Sequence, residues 1–311
     1  MVEFFEFLGF WGRIGLICFE TEPLFMKTVN TIADLRSCID YGKKVGFVPT
    51  MGNLHSGHLD LISVAKEKSG FVVASIFVNR LQFGPNEDFD SYPRTFLEDS
   101  QKLELAGCDV LFAPREEDLY PEPQVFEVSP PDHLAGILEG EFRPGFFKGV
   151  CTVVLKLFNC VRPDVAFFGR KDYQQAMIVE HMIRQLALPI ELVKVSTRRE
   201  VDGLAMSSRN GYLNQVERAE AVQLYLTLCQ MREAFKAGQP LISIEHDAMS
   251  HLRARGWQPD YLTIREAADL SQVKVNPEAN TPGSNKGDWV ALAAARVGKT
   301  RLIDNLEFST N

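Results

Sequence analysis

The stretch VPTMGNLHSGHLDL, residues 48–61, decides how the rest of the chain is read. A short apolar run ends in Pro-Thr-Met-Gly, and His-Ser-Gly-His then opens a helical pattern. Strand, turn and helix in that order leave the first N–H groups of the helix free beside its positive end, which makes an anion site. Gly57 carries no side chain, so a phosphate or a nucleobase can approach the backbone there. His55 and His58 lie three apart on one helix face and can donate to the same phosphate oxygens. A helix N-terminus disfavours a second positive charge, so at least one of them suits the role of neutral donor. Two other readings compete: a solvated helix start, and half of a zinc site. Zinc needs three or four ligands, the remaining histidines (His133, His181, His246, His251) lie in unrelated contexts, and there is no HExxH.

Outward from this unit the chain alternates. Ile32, Leu35 and Ile39 fall at helical spacing, and 45–48 reads as a strand. Leu59, Ile62 and Ala65 mark a helix, 71–78 a buried strand, 95–106 a helix and 109–113 a strand. Residues 150–158 fit a helix, 164–168 a strand, 172–187 a helix, and 190–195 closes the series. Strands separated by helices require crossovers, which predicts an α/β fold with a mainly parallel sheet covered on both faces. Ligands of such sheets bind at the carboxyl ends of the strands. After about residue 198 the pattern changes to helices at 214–237 and 242–254, then strands at 260–264, 289–297 and 300–308. A polar Pro/Gly/Asn loop, 276–288, separates the first two of these strands. This predicts a smaller α+β unit, with no internal repeat.

Composition narrows the function. At 311 residues the chain suits one large domain and a smaller one. Its net charge of −8 argues against an extended nucleic-acid surface, though not against a local basic pocket for one phosphate compound. Six scattered cysteines without a CxxC pair favour reduced thiols and a cytoplasmic location. The apolar residues 1–25 are interrupted by Glu3, Glu6 and Arg13, too short a run for the roughly 20 residues of a bilayer span. Acidic residues stand where a secretory signal needs positive ones. These residues read as an extension outside the fold, with an amphipathic anchor as the other reading.

Three further stretches carry polar groups to strand ends or to the junction. After 71–78, Asn79 and Gln82 present amides that can read a hydroxyl or a carboxylate. Glu98 and Asp99 follow at a helix start, where they can hold Mg²⁺ or simply complement the helix dipole. In FFGRKDYQQ, 167–175, Lys171 offers a point charge for phosphate, Asp172 a cap or a ribose acceptor, and Gln174 and Gln175 amides. In REVDGLAMSSRNGYL, 199–213, Ser207, Ser208 and Arg209 provide two hydroxyls and a permanent cation in a glycine-flanked loop. Such a loop can close over a triphosphate and stabilise leaving pyrophosphate.

Together PTMGNLHSGH, SIFVN-LQF with YPRT, FRPG-F-GV-TVV-KLFN, G-KDYQQ and DGLAMSSRNGYL resemble, in order, the pantoate–β-alanine ligases, or pantothenate synthetases. The resemblance spans roughly 26–308; HxGH alone is shared with other nucleotidylyltransferases and class I aminoacyl-tRNA synthetases. It implies a Rossmann-like doubly wound domain over 26–197, a C-terminal domain over 198–311 that lids it and supports a dimer, and a cytoplasmic homodimer. The implied reaction activates pantoate with ATP as pantoyl adenylate, and β-alanine then displaces AMP. On this resemblance Met51, Gly52, Asn53, Leu54, His55, Ser56, Gly57 and His58 line the ATP site, with His58 the proton-donating histidine and His55 holding phosphate. Gly169, Arg170, Lys171 and Asp172 form a second ATP segment, and Met206, Ser207, Ser208 and Arg209 a third, with Lys171 and Arg209 serving the chemistry. Arg198 matches a backbone contact to adenine. Gln82 and Gln175 match the pantoate-binding glutamines, Asn79 a nearby asparagine, and Asp99 an acid close to Mg²⁺.

Three positions depart from the family pattern. Arg80 stands where proline usually follows Asn79, Phe146 where RPGHF has histidine, and Arg170 where Gly-Glu-Lys-Asp has glutamate. None removes a residue assigned to the chemistry, so activity is expected. The competing readings are a non-catalytic or weakened ATP- and pantoate-binding homologue and a related nucleotidylyltransferase, which would want basic residues in place of Gln82 and Gln175. A tRNA synthetase would need an anticodon module and a basic surface.

Overall fold

The computed structural model describes residues 25–85, 87–274 and 287–310. All but the last residue of the N-terminal extension, and most of the loop at 276–288, lie outside them. Along the chain come β1 (Lys27–Val29), α1 (Ile32–Cys38), β2 (Val45–Thr50), α2 (Ser56–Lys68), β3 (Phe71–Ile76), α3 (Phe96–Leu105) and β4 (Val110–Phe112). Three one-turn helices follow, α4 (Glu116–Leu119), α5 (Asp132–Ala135) and α6 (Glu139–Phe142), then α7 (Phe146–Val161), β5 (Val165–Gly169), α8 (Tyr173–Gln185) and β6 (Glu191–Val195). The C-terminal part holds α9 (Gln215–Ala221), α10 (Gln223–Lys236), α11 (Leu241–Ala254), β7 (Gln258–Glu266), β8 (Gly287–Val297) and β9 (Thr300–Thr310).

The first six strands form one parallel sheet in the order β1-β4-β3-β2-β5-β6. Its strands alternate between two cores, as a pleat with period two demands. Val45 and Phe47 of β2, Val73 of β3 and Ala166 and Phe168 of β5 pack under α1, α7 and α8. Val48, Val72, Ala74, Val165 and Phe167 pack under α2 and α3. The chain builds outward from β2 through β3 to β4, which lies against the edge strand β1, then returns to add β5 on β2's other side. The crevice at this reversal, between the carboxyl ends of β2 and β5, is where a doubly wound sheet takes its ligand.

β7, β8 and β9 form a separate antiparallel sheet. Trp289, Ala291, Ala293 and Ala295 of β8 face α10 and α11 in a core of their own. On the opposite face Val290 and Leu292 join the core of the parallel sheet, so the smaller sheet is packed against the larger one. The helical pattern over 214–237 resolves into α9 and α10, interrupted at Val222, which keeps right-handed helical dihedrals while the ladder resumes from Leu226 N–H to the Val222 carbonyl. β1 escapes sequence reading because only Val29 of its three residues is buried, whereas all three of β4 are, and α4, α5 and α6 escape because one turn cannot display a helical period.

Candidate functional site

At the end of β2 the backbone turns through two consecutive left-handed residues, Gly52 (φ +84°) and Asn53 (φ +50°). This turn aims the N–H groups of Asn53 and Leu54 at the Asp99 carboxylate, at 2.8 Å each, one to each oxygen. Thr95 Oγ1 adds a third bond at 3.0 Å, and Asp99 is completely buried. Asp99, expected close to Mg²⁺, sits in an anion nest made by its own protein, and both oxygens accept bonds that hold the loop. Lys102 Nζ donates to the Leu54 carbonyl at 2.9 Å from the same helix. Gly52, Asn53 and Leu54 therefore shape the turn beside the cleft. Exposed Ser56 only begins α2.

His55 is the N-cap of α2. Its Nδ1 accepts the Gly57 N–H at 3.2 Å, while His58 Nδ1 accepts the His55 N–H at 3.3 Å. An Nδ1 that accepts must be unprotonated, so both neutral rings carry their hydrogen on Nε2. Burial, with His58 and Lys171 nearby, pushes His55 down to about 3. Burial, with Lys171 and Lys102, pushes His58 down to about 4. The rings stand 4.1 Å apart as uncharged N–H donors. A charged pair so close to each other, to Lys171 and to a helix N-terminus would repel.

Across the crevice, β5 ends at Gly169 and a 3-10 turn over 170–172 leads into α8. Lys171, Asp172 and Gln175 face the cleft; Asp172 occupies the N-cap position of α8 without making a capping bond. Arg170 does not join them: its guanidinium bonds Glu307 of β9 at 2.6 Å, outside the lining of the cleft. The departure at this position adds a surface ion pair, not a phosphate ligand. Gln174, singled out beside Gln175, is buried and spends its amide on Leu134 O, Ile137 O and Glu139 N–H.

The third segment closes onto the first. Asn53 Nδ2 donates to Ser208 O at 3.2 Å and Ser208 Oγ to Asn53 O at 3.1 Å, a reciprocal clasp. The Arg198 side chain turns outward to Asp60 at 3.4 Å, while its carbonyl takes the Met206 N–H at 2.9 Å. Arg209 pairs with Asp88 through Nη2 at 3.0 Å and Nε at 3.3 Å. Burial alone would raise the Asp88 carboxyl; Arg209 overrides it and holds the group below its usual range.

The amide side of the cleft is set by a relay that the sequence does not announce. Asn79, 1% exposed, donates from Nδ2 to Gly149 O at 3.2 Å and to Gln82 Oε1 at 3.1 Å, while Tyr120 OH donates to its Oδ1 at 3.0 Å. Because the Gly149 carbonyl can only accept, Asn79 has one permissible orientation, and Gln82 is left with its NH₂ directed to the cleft beside Met51 Sδ at 3.2 Å. Asn79 is thus a positioner of Gln82. Gly149 must lack a side chain, since a Cβ there would collide with the Leu81 carbonyl. Of the other departures, Arg80 stays at the margin while Phe146 lines the larger part of the cleft. Arg80 lies 3.9 Å over the Phe89 ring, and Phe146 lies 3.7 Å beneath the guanidinium of Arg143, which itself clamps Glu87.

Two adjoining cavities, about 570 Å³ and 230 Å³, meet at Met51, Gln82, Lys171, Gln175, Ser207 and Arg209. The smaller holds both histidines, Gly57, Gly169, Arg198, Met206 and Ser208. The larger is closed on its far side by Arg301, Asp304 and Asn305 of β9. Among the described residues no group of three or more His, Cys, Asp or Glu side chains could by itself hold a metal ion. No described helix is long and apolar enough to cross a membrane.

A doubly wound sheet whose switch point carries an HxGH helix start, a strand-end lysine and a Met-Ser-Ser-Arg loop defines a Rossmann-like nucleotide-binding α/β protein. The chain belongs to the pantoate-beta-alanine ligase family, whose model matches residues 26–307. It is 44% identical to the pantoate-beta-alanine ligase (pantothenate synthetase) of Thermus thermophilus, with a TM-score of 0.84 over 90% of this chain and 99% of that one. It is 33% identical to the pantoate-beta-alanine ligase of Francisella tularensis, solved with beta-gamma ATP and beta-alanine, with a TM-score of 0.75 over 90% and 97%.

Proposed function

We propose that the protein joins (R)-pantoate to β-alanine at the expense of ATP, giving pantothenate, AMP and pyrophosphate through pantoyl adenylate. The observation that carries this reading is the meeting of two kinds of group in one cleft. Neutral imidazole donors, Lys171 and Arg209 suit a triphosphate, and the uncharged amides of Gln82 and Gln175 suit a hydroxy acid.

A carboxylate oxygen of pantoate attacks the α-phosphorus, and the bond to the bridging oxygen breaks so that pyrophosphate leaves with its electrons. The β-alanine amine then attacks the activated acyl carbon, loses a proton, and AMP departs. His55 and His58, neutral and fixed through Nδ1, present Nε2–H to phosphate oxygens as charge develops on them. Each preorganised donor of this kind is worth about 10²–10³ in rate. Lys171 supplies a compact charge for the phosphates, and Arg209 exchanges Asp88 for the departing pyrophosphate. Magnesium would be held mainly by the triphosphate's own oxygens and would neutralise their charge. Asp99 already accepts three hydrogen bonds that hold the loop after β2. Cytoplasmic residence and a homodimer belong to the same reading.

Pyrophosphate–ATP exchange with pantoate present and β-alanine absent tests it. Exchange that depends on pantoate is expected. ATP binding without any exchange would favour the non-catalytic homologue.

A further inference from the structure

We propose that Asp304 and Asn305, consecutive residues of β9, are positioning residues that brace the ATP site from the C-terminal sheet. Asn305 fixes the backbone carrying Lys171, and Asp304 fixes the hairpin carrying Arg198 and Met206. The proposal rests on the functional reading above for the identity of the nucleotide.

A strand with one apolar face alternates buried and exposed residues, yet these two neighbours are both polar and both buried, at 4% and 5% exposure. Buried polar groups are costly unless bonded, and aliphatic side chains would serve a core better. Their partners explain them. Asn305 Nδ2 donates to the Arg170 carbonyl at 2.9 Å and to the Lys171 carbonyl at 2.8 Å, so both amide hydrogens go to the turn after β5. Asp304 takes Arg199 through two bonds, at 2.7 and 2.9 Å, and also accepts the Asn305 N–H at 2.7 Å. Arg199 completes the grip with bonds to Gly203 O and Asn305 O, and its guanidinium lies 3.9 Å over the Tyr225 ring.

Arg199 pairs across a short hairpin with Ala205, and the next rung joins Arg198 to Met206. One rigid dipeptide therefore ties down two ATP segments that are far apart in sequence. Loops after strands are otherwise the mobile part of a fold. A phosphate donor displaced by about 1 Å costs about 10²-fold in rate. α8, which carries Gln175, has ties of its own through Tyr173 OH to Ala267 O and through Gln174, so the acid-binding side should not follow.

The test is calorimetric ATP binding together with exchange kinetics on Asn305→Ala, Asn305→Ser and Asp304→Asn, each well below its melting temperature. Asn305→Ala is expected to weaken ATP binding about tenfold and to lower kcat by a similar factor, with the KM for pantoate within about twofold. Asn305→Ser, which keeps one donor, should fall between it and the wild type, and Asp304→Asn should weaken ATP binding with a smaller effect on kcat. Lower melting temperatures with unchanged ATP dissociation constants and kcat would overturn the brace. Should Asn305→Ala fail to fold, the same readouts on the other two variants decide. A wild type that binds ATP but shows no pantoate-dependent exchange would sink the functional reading, and the variants' ATP dissociation constants would still decide the brace.

Discussion

The loop after β2 and the loop after β5 end on the same cleft, but they are held from different places. The first is tied mostly within the parallel-sheet domain: Asp99 and Lys102 of α3 take its N–H groups and a carbonyl, and His55 and His58 form a capping box at the helix start. Ser208 adds a clasp on Asn53 from beyond that domain. The second is tied from the far sheet, by Asn305 to its carbonyls and by Glu307 to Arg170. Imidazole geometry is therefore set chiefly by contacts around the parallel sheet, whereas the position of Lys171 depends on how the C-terminal sheet packs.

The strongest way to break the first loop is at its chemistry. His58→Ala should lower exchange by about 10³-fold while leaving the protein folded, because a neutral Nε2–H donor is lost from a site already shaped by Asp99. A protein that unfolds at room temperature would show instead that the pair serves only as a cap. Next in size is Asp99→Ala, which strips the nest of its anion. Loss of charged bonds to two N–H groups is worth about 3 kcal/mol, read as a lower urea midpoint at unchanged slope. Were Asp99 a magnesium ligand, raising magnesium would restore activity in this variant; anchoring predicts no rescue.

The two loops also differ in how much of them a sequence can disclose. Residue types at strand ends are readable because strand–turn–helix units advertise themselves in periodicity, and Gly57, His55, His58, Lys171 and Gln82 stand at those ends. What each side chain pairs with is not readable. Arg170 beside Lys171 reads as a second phosphate cation until β9, more than a hundred residues later, supplies Glu307. Asp99 reads as free because the nest that occupies it is made of backbone N–H groups, which leave no trace in composition. Asn79 and Tyr120 form a relay whose logic depends on the Gly149 carbonyl, and Asp304 and Asn305 sit inside an ordinary strand pattern. Two consecutive polar residues between Ile303 and Leu306, breaking the alternation of the strand, are the available signal.

A smaller effect distinguishes the histidines from the acids. Folded His55 and His58 resist protonation, with values near 3 and 4 against 6.5 when unfolded. The unfolded chain therefore binds more protons than the native one as pH falls, so the stability present above pH 6.5 declines as pH falls toward 4. His181, also pushed down by burial, adds to this slope. Glu87, Asp88 and Glu139, held below their usual ranges by arginines, act only below about 4.5. Burial pushes the Asp304 carboxyl up against the pull of Arg199, and that group acts with the opposite sign. In the window between, it is therefore the difference between wild type and a His58 variant that isolates the imidazole. Melting temperature should fall through that window in the wild type and fall less in His58→Asn. Equal slopes would mean that His58 titrates normally in the folded protein.

The smallest effect lies at the outer edge of the second loop. The Arg170–Glu307 pair is charge-assisted and short, yet both side chains remain a third or more exposed, 41% and 34%. Exposed pairs of this kind contribute about 0.2–1 kcal/mol, and less in salt. Arg170 Nε is also buried with no partner, which offsets part of that gain. Asn305 holds the carbonyl of residue 170 whatever its side chain. Arg170→Gln should therefore shift the urea midpoint barely and leave the KM for ATP within about twofold, because the turn keeps the grip that positions Lys171. Arg170→Glu would set two carboxylates against each other and should cost more, with the penalty shrinking as salt is raised. If instead Arg170→Gln raised the KM for ATP as far as Asn305→Ala does, the ion pair and not the amide would be what holds the second loop, and the contrast between the two loops would rest on charge.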